Sequence, residues 1–542
     1  MDGLMMDYPL TVSKILLRAS RIFPDKEIVS VLPSGKKHRT TYGDLHDRVL
    51  RLMAALKKMG VRPGDRVATF AWNHYRHLEL YYALPCMGAV LHTLNVRLSA
   101  EQLEYIVNHA QDQSIFVDAS LVKALEPLAP KFKSVRQYVV MSEDGRLPET
   151  TLSPARDYEE LMALAAPERE FPDLPENTAS GLCYTSGTTG NPKGVLYSHR
   201  AIFIHSLLAM ATDTMGLSER DTLLPAVPMF HANAWGQPYA CAFAGVKLVF
   251  AGADLSPQNL VRLIQEEDVS IAAGVPTIWN GLLQYMRQTK PKLGRLRRML
   301  VGGSAVPRSM IKAFKEEFGL DMIQGWGMTE MSPLGSTSWL KSKADDWSED
   351  RKLDALAKAG IPAPAVEMKI VDTAGKELPW DGKSVGELLV RGPAVVKGYY
   401  NNPEATANQV TPDGWFRTGD VASLDPDAYL HISDRTKDLI KSGGEWISSV
   451  EMENAVMAMP GILEATVVAR PDPKWDERPV VFAVRQPGSA TPSPEQVIAH
   501  LAGGFAKWQL PAPEDVRFID LIPRTSVGKF DKKVLRAKLQ GV

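Results

Sequence analysis

Cysteine is nearly absent from this chain: only Cys86, Cys183 and Cys241 occur among 542 residues. Odd in number and far apart, they exclude a disulfide framework and a CxxC metal site. An excess of either charge is also missing. Lys plus Arg total 62 against 63 Asp plus Glu, a formal net charge of −1, so no strong field recruits nucleic acid and no long basic run tracks a phosphate backbone. Nor is there a long apolar run. No stretch approaches the roughly 18–20 uninterrupted apolar residues of a spanning helix, and the opening MDGLMMDYPL lacks the charged and apolar regions of a secretory signal. Short internal repeats and low-complexity tracts are lacking too. These absences together predict a soluble, cytoplasmic protein in a reducing compartment.

What is present reads as a large folded enzyme. Apolar residues make 45% and charged residues 23%, the ordinary globular balance, and the length calls for at least two domains. Val12, Ile15, Leu16, Ala19 and Phe23 fall at helical spacing, as do Leu45, Val49, Leu52, Met53 and Leu56 before Gly60. The turn at 62–65 then leads into an apolar run at 67–71, and candidate strands recur at 114–117, 137–140, 246–250 and 298–301. Such alternation predicts an α/β layer architecture. From about Gly360 short alternating segments at 367–371, 387–390 and 429–432 predict an antiparallel β subdomain. After Arg435 a helix near 450–457, strands near 465–469 and 479–484 and a basic helix from Lys532 predict a small α+β domain. The expected division is an N-terminal domain at 1–434, with two α/β layered subdomains plus the β subdomain, and a C-terminal domain at 435–542.

The sharpest local feature is LCYTSGTTGNPKG at 182–194. Glycines let the backbone turn N–H groups toward an anion, the hydroxyls of Ser186, Thr188 and Thr189 add donors, and Lys193 adds charge. A P-loop needs Gly before its Lys and Ser or Thr after it; here Pro192 precedes Lys193 and Gly194 follows, and proline has no N–H to give. The alternative of a flexible surface loop is weighed by what lies downstream.

The order of residues in this segment resembles the signature of the adenylate-forming superfamily of acyl-CoA synthetases, luciferases and peptide-synthetase adenylation domains. Four later segments match that family's motifs in order: QGWGMTE at 324–330, DGWFRTGD at 413–420, DRTKDLIKSGGE at 434–445 and PRTSVGK at 523–529. Any one is weak; five in sequence carry the resemblance across essentially the whole chain.

What the resemblance implies can be given a physical reason residue by residue. Thr185, Ser186, Gly187, Thr188, Thr189 and Lys193 would cradle the ATP phosphates. Trp326, between Gln324 and Gly325 on one side and Thr329 on the other, offers a flat face to the purine, approached from its other side by the Gly303, Ser304 and Ala305 backbone. Asp420 would accept from both ribose hydroxyls, with Arg435 a second partner. Thr185 and Glu330 supply hard oxygens for the Mg²⁺ that ATP carries, and Thr329 sits beside the α-phosphate. Lys529 is the expected catalytic charge, placed between the incoming carboxylate and the α-phosphate as pyrophosphate leaves. The implied reaction makes an acyl-adenylate and then an acyl-CoA. Lys437 aligns with the family's hinge, about which a mobile C-terminal domain swings Lys529 out and brings Ser442, Gly443, Gly444 and Trp446 to the thiol channel.

For the acid, the chain is most similar to the medium- and long-chain fatty acyl-CoA synthetase subgroup, through VPMFHANAWG at 227–236, Trp446 and FAKWQL at 505–510. The resemblance implies that His231 borders the carboxylate, that Trp235 corresponds to the indole that gates the fatty-acid tunnel in that subgroup, and that Val301, Gly302 and Gly325 line the acyl pocket with them. Relatives in the subgroup that activate short thioether acids such as 3-methylmercaptopropionate are not separated by these motifs. A luciferase-like oxygenase and a carrier-protein-loading adenylation enzyme share the same signature; no carrier segment is attached, which favours free CoA. A homodimer is implied by the resemblance alone, and peripheral membrane contact fits a lipid substrate. Two departures from the family pattern stand out: Trp326 where Tyr is frequent, and Ala428 where Gly is usual.

Overall fold

The computed structural model describes residues 1, 3–185, 191–442, 445–490, 492–525 and 528–539. Two large sheets form the body of the protein. In the seven-stranded sheet the order is Ala155–Asp157, Gln137–Met141, Ser114–Asp118, Arg66–Phe70, Val90–Thr93, Ala179–Tyr184 and Gly194–Ser198. All neighbours are parallel except the last pair. The nine-stranded sheet has a parallel centre, Glu27–Val31, Lys247–Phe250, Thr222–Pro225, Ile271–Gly274, Arg298–Gly302 and Asp321–Gly327, extended by antiparallel strands at both edges. Parallel strands buried on both faces need continuous apolar runs, and Ile271–Gly274 and Val90–Thr93 are buried throughout.

Helix Tyr75–Cys86 lies between the two sheets and is buried along its entire length. It shares one core with helix Tyr42–Lys58, the expected second amphipathic helix, which opens on a Thr41/Asp44 capping box. A four-stranded antiparallel sheet follows, Glu367–Val371, Gly386–Arg391, Phe416–Leu424 and Leu430–Arg435. The predicted β subdomain is therefore present. The small C-terminal domain is α+β: strands Ile462–Asp472 and Asp476–Arg485 form its long hairpin, with helices Ser449–Met457, Pro494–Leu501 and Lys532–Leu539 packed around it.

Ala428 stands at φ 64° in the turn before Leu430. Its N–H donates to the Asp425 carbonyl at 2.8 Å, while Asp425 Oδ1 accepts the N–H groups of Asp427 and Tyr429. The turn geometry is the one glycine favours, and alanine adopts it at a cost of about 1 kcal/mol.

Candidate functional site

A cavity of about 780 Å³ opens at the carboxyl ends of strands Arg298–Gly302 and Asp321–Gly327, where parallel α/β sheets place their ligands. It is lined by Thr185, Lys193, His231, Trp235, Val301, Gly302, Gly303, Gly325, Trp326, Thr329, Glu330, Thr418, Gly419, Arg435, Lys437 and Lys529, with Asp420 just behind Trp326. Residues drawn from all five sequence segments thus meet around one space. Ser186, Gly187, Thr188, Thr189, Gly443 and Gly444 lie outside the described residues.

Around Trp326, the indole Nε1–H donates to Asp420 Oδ2 at 2.9 Å, and Arg435 Nε lies 2.5 Å from Asp420 Oδ1. Asp420 is 2 % exposed, and its charge is the main cause that holds the Arg435 guanidinium above its ordinary range. Thr185 is folded back on Lys193: its N–H donates to the Lys193 carbonyl at 3.0 Å and its Oγ1 accepts the Lys193 N–H at 3.3 Å. Glu330 is buried, and desolvation raises its carboxyl above the usual range even though the Tyr399 hydroxyl donates to it at 2.8 Å. The Lys193 ammonium lies 4.9 Å from the centroid of the same Tyr399 ring. Tyr197 donates its hydroxyl to the Thr329 carbonyl at 2.7 Å. Tyr399 and Tyr197 were not foreseen in the sequence; the paired aromatics at 399–400 carry no signal of their own until Glu330 is placed beside them.

Lys529 enters the cavity beside Gly303, where a Cβ would come within 3.7 Å of its Cε. Its ammonium is pushed down to about 8, first by desolvation and then by the Arg435 charge. His231 is neutral for a related reason, driven down to about 3 by burial and by Lys529. Near pH 7 the pair therefore offers one positive charge, on Lys529, beside an uncharged imidazole.

Three expected nucleotide residues sit differently. Gln324 is buried with its Oε1 accepting the Val306 N–H at 2.9 Å, so it pins the loop after Gly303. Ser304 and Ala305 line a second hollow of about 260 Å³ against Met459, Leu463 and Phe530 of the C-terminal domain. Only Gly303 of that trio lines the main cavity. Ser442 is buried and accepts from Arg478 Nη1 at 3.1 Å, and Trp446 is exposed; neither lines the cavity that Lys529 occupies. Among the described residues no group of three or more His, Cys, Asp or Glu is arranged to hold a metal.

The apolar end of the cavity is formed by Trp235, Leu300, Val301, Ile323 and Leu334. Trp235 lies in a run of left-handed backbone that ends at Gly236: φ is 42° at Ala232, 54° at Asn233, 49° at Ala234, 57° at Trp235 and 71° at Gly236. Four successive non-glycine residues in that region store on the order of 5 kcal/mol. A side chain at Gly302 would meet Trp235 Cη2 at 3.2 Å, so the indole lies flush against the strand end. One at Gly236 would lie 2.5 Å from His205 Nδ1.

Comparison with known proteins agrees with this geometry. Residues 16–400 match the family model described as AMP-binding enzyme, and residues 451–529 match the AMP-binding enzyme C-terminal domain. A long-chain-fatty-acid–CoA ligase of Thermus thermophilus is 49% identical over 98% of this chain and 96% of its own. A 3-methylmercaptopropionyl-CoA ligase of Ruegeria lacuscaerulensis is 44% identical over 99% of this chain and 98% of its own. Among solved structures, ATP-bound MatB from Rhodopseudomonas palustris superposes with a TM-score of 0.83 at 27% identity, covering 98% of this chain and 99% of that one. The chain belongs to the AMP-binding enzyme family, and it is an AMP-forming acid–thiol ligase.

Proposed function

We propose that this ligase activates a medium- or long-chain fatty acid, forming its acyl-adenylate from MgATP and passing the acyl group to CoA. The observation that carries the substrate is the apolar end of the cavity, walled by Trp235, Leu300, Val301, Ile323 and Leu334 and reached past His231 and Lys529. The side chains named there, all among the described residues, carry no charge to meet a second polar group on the acid.

In the first step the acid's carboxylate lies between His231 and Lys529 and attacks the α-phosphorus of ATP. The Lys529 ammonium offsets the charge on the pentavalent centre. Trp326 stacks on the adenine, and Asp420, held by the Trp326 indole and by Arg435, accepts from the ribose. Thr185, Lys193 and Thr329 face the phosphates. Glu330 and Thr185 fit the Mg²⁺ that ATP brings, since magnesium takes one or two protein oxygens beside substrate phosphates. The ion would neutralise charge on the departing pyrophosphate. For the second step the C-terminal domain, residues 435–542, turns about Lys437, withdrawing Lys529 and presenting Ser442, Gly443, Gly444 and Trp446 to the thiol. If Lys437→Pro left thioester formation as fast as adenylation, the hinge role would be wrong.

A short thioether acid is the second reading, favoured by the 44% identity to the Ruegeria enzyme. A panel of saturated acids from two to sixteen carbons, together with 3-methylmercaptopropionate, separates the two when AMP release is followed with and without CoA. Each buried methylene contributes about 0.8 kcal/mol, so kcat/KM should rise roughly fourfold per carbon until the cavity is filled. A flat or falling profile beyond about six carbons removes the fatty acid and keeps the ligase.

A further inference from the structure

The steps above use His231 and Lys529 and give no task to Asn233, two residues beyond the histidine. Asn233 is 3 % exposed and stands at φ 54°, ψ 43°. Its Oδ1 accepts from Cys183 Sγ at 3.3 Å, and the Tyr81 hydroxyl, whose proton goes first to the Met229 carbonyl, lies 3.5 Å away as a second, weaker contact. Just upstream, Asn73 Oδ1 accepts the Met229 N–H at 2.7 Å, and Asn73 Nδ2 donates to the Val227 carbonyl at 2.8 Å. Residues 227–233 are therefore tied by side chains to Asn73, to Tyr81 on helix Tyr75–Cys86, and to Cys183 on strand Ala179–Tyr184.

Beyond Asn233 the ties are main-chain only: the Ala234 N–H donates to the His231 carbonyl at 3.0 Å and the Gly236 N–H to the Asn233 carbonyl at 2.9 Å. Ala234 and Trp235 keep left-handed backbone with no side-chain group that could hold it there, and alanine and tryptophan are poorly suited to that region, whereas asparagine tolerates it. A turn relaxed to the ordinary right-handed region would carry the indole away from Gly302. Asn233 is thus the member of the turn whose polar side chain ties it to the surrounding fold.

We propose that Asn233 is the positioning residue that sets acid size: by holding the left-handed turn on Tyr81 and Cys183, it seats the Trp235 indole against Gly302 as the end wall of the acid cavity. The inference rests on the reading that the acid's chain lies in the apolar end of that cavity. Asn233 touches no reacting atom; it acts through Trp235.

Asn233→Gly keeps the backbone freedom and removes the tie, and Tyr81→Phe removes the weaker contact together with the bond to the Met229 carbonyl while leaving Asn233 in place. The experiment measures kcat/KM for the saturated acid series, together with KM for ATP, in wild type and in both variants of the full-length enzyme. With the indole released, longer acids should gain on shorter ones, changing the ratio of kcat/KM between the long and short ends of the series by roughly tenfold in Asn233→Gly and by less in Tyr81→Phe. KM for ATP should stay within about twofold. Profiles that superimpose on wild type after scaling overturn the proposal, however much either variant loses in thermal stability; should Asn233→Gly fail to fold, Tyr81→Phe decides alone. The two readings fail separately. A wild-type preference for short acids removes the fatty acid, whereas an unchanged profile in the variants removes Asn233.

Discussion

The Trp326 indole holds Asp420: its N–H reaches Oδ2 at 2.9 Å, on the opposite carboxylate oxygen from Arg435 at 2.5 Å. A tyrosine at 326 would present its polar atom at the end of a six-membered ring rather than on the side of an indole, so the departure from the family pattern carries a contact of its own. Trp326→Phe keeps an aromatic face and deletes the donor. A hydrogen bond to a charged group is worth about 1.5–3 kcal/mol, and Arg435 retains part of the restraint, so KM for ATP should rise roughly tenfold with little change in KM for the acid. Equal rises in both would place Trp326 in the general packing of the cavity instead.

Lys529 gives a pH dependence whose sign follows from its surroundings. The active form is the ammonium, and burial with Arg435 nearby brings it down to about 8. In the free enzyme, which kcat/KM reports, adenylation should fall as pH rises through about 8, approaching tenfold per pH unit beyond it. Bound triphosphate favours the charged form, so the corresponding limb of kcat should lie at higher pH. Lys529→Arg, whose guanidinium stays charged across this range, should lose the alkaline limb at a lower maximal rate. A limb that persists unchanged in that variant would assign it to another group.

Much of the site was legible because adenylation chemistry needs particular residue types at fixed spacing. Glycines with hydroxyls, a flat ring between glycines, a carboxylate after Thr-Gly and a late Gly-Lys survive as strings even though 344 positions separate Thr185 from Lys529 in the chain. The helices at 12–23 and 45–56 and the strands at 114–117 and 298–301 were legible for a different reason, since burial on one face or both leaves a period in the sequence. What could not be read depends on partners distant in sequence. Nothing in Ala-Asn-Ala-Trp announces left-handed backbone; its propensities favour an ordinary turn or helix, and the contacts of Asn233, among them the Cys183 thiol, come from residues far away in the chain. Tyr399 gains meaning from Glu330, 69 residues away. Ser304 and Ala305 follow Gly303 in the string, but the chain turns after the glycine and hands them to the interface with the C-terminal domain.

Ala428 offers a stability test free of the active site. At φ 64° its side chain is strained, and Ala428→Gly relieves about 1 kcal/mol in the folded state, partly offset by the greater freedom of glycine in the unfolded chain. The variant should raise the thermal midpoint by about 1–2 °C and leave the kinetic constants untouched. A lower midpoint would mean that the methyl group makes contacts that outweigh its backbone strain.

Asp434 ties the two domains in the arrangement that places Lys529 in the cavity. Its Oδ2 accepts both the N–H of Ser449 at 2.7 Å and the Ser449 hydroxyl at 2.6 Å, at the start of helix Ser449–Met457. The neighbouring Ser448 hydroxyl donates to the Ser433 carbonyl at 2.5 Å, and Lys532 reaches Ser449 Oγ from the terminal helix. The proposed rotation about Lys437 would leave 433 and 434 with the large domain and carry 448 and 449 away, so on that proposal these bonds break before the thiol step. Asp434→Ala should therefore weaken one state and not the other. Losing two hydrogen bonds to a buried carboxylate, worth about 1–3 kcal/mol together, should slow adenylate formation by roughly ten- to a hundredfold, while thioester formation from pre-formed acyl-adenylate stays within about twofold of wild type. Asp434→Asn, which keeps an accepting oxygen of the same shape, should fall between. Single-turnover measurements of the two half-reactions decide the matter: equal losses in both would make Asp434 a residue of general folding stability, with no part in choosing between the two arrangements.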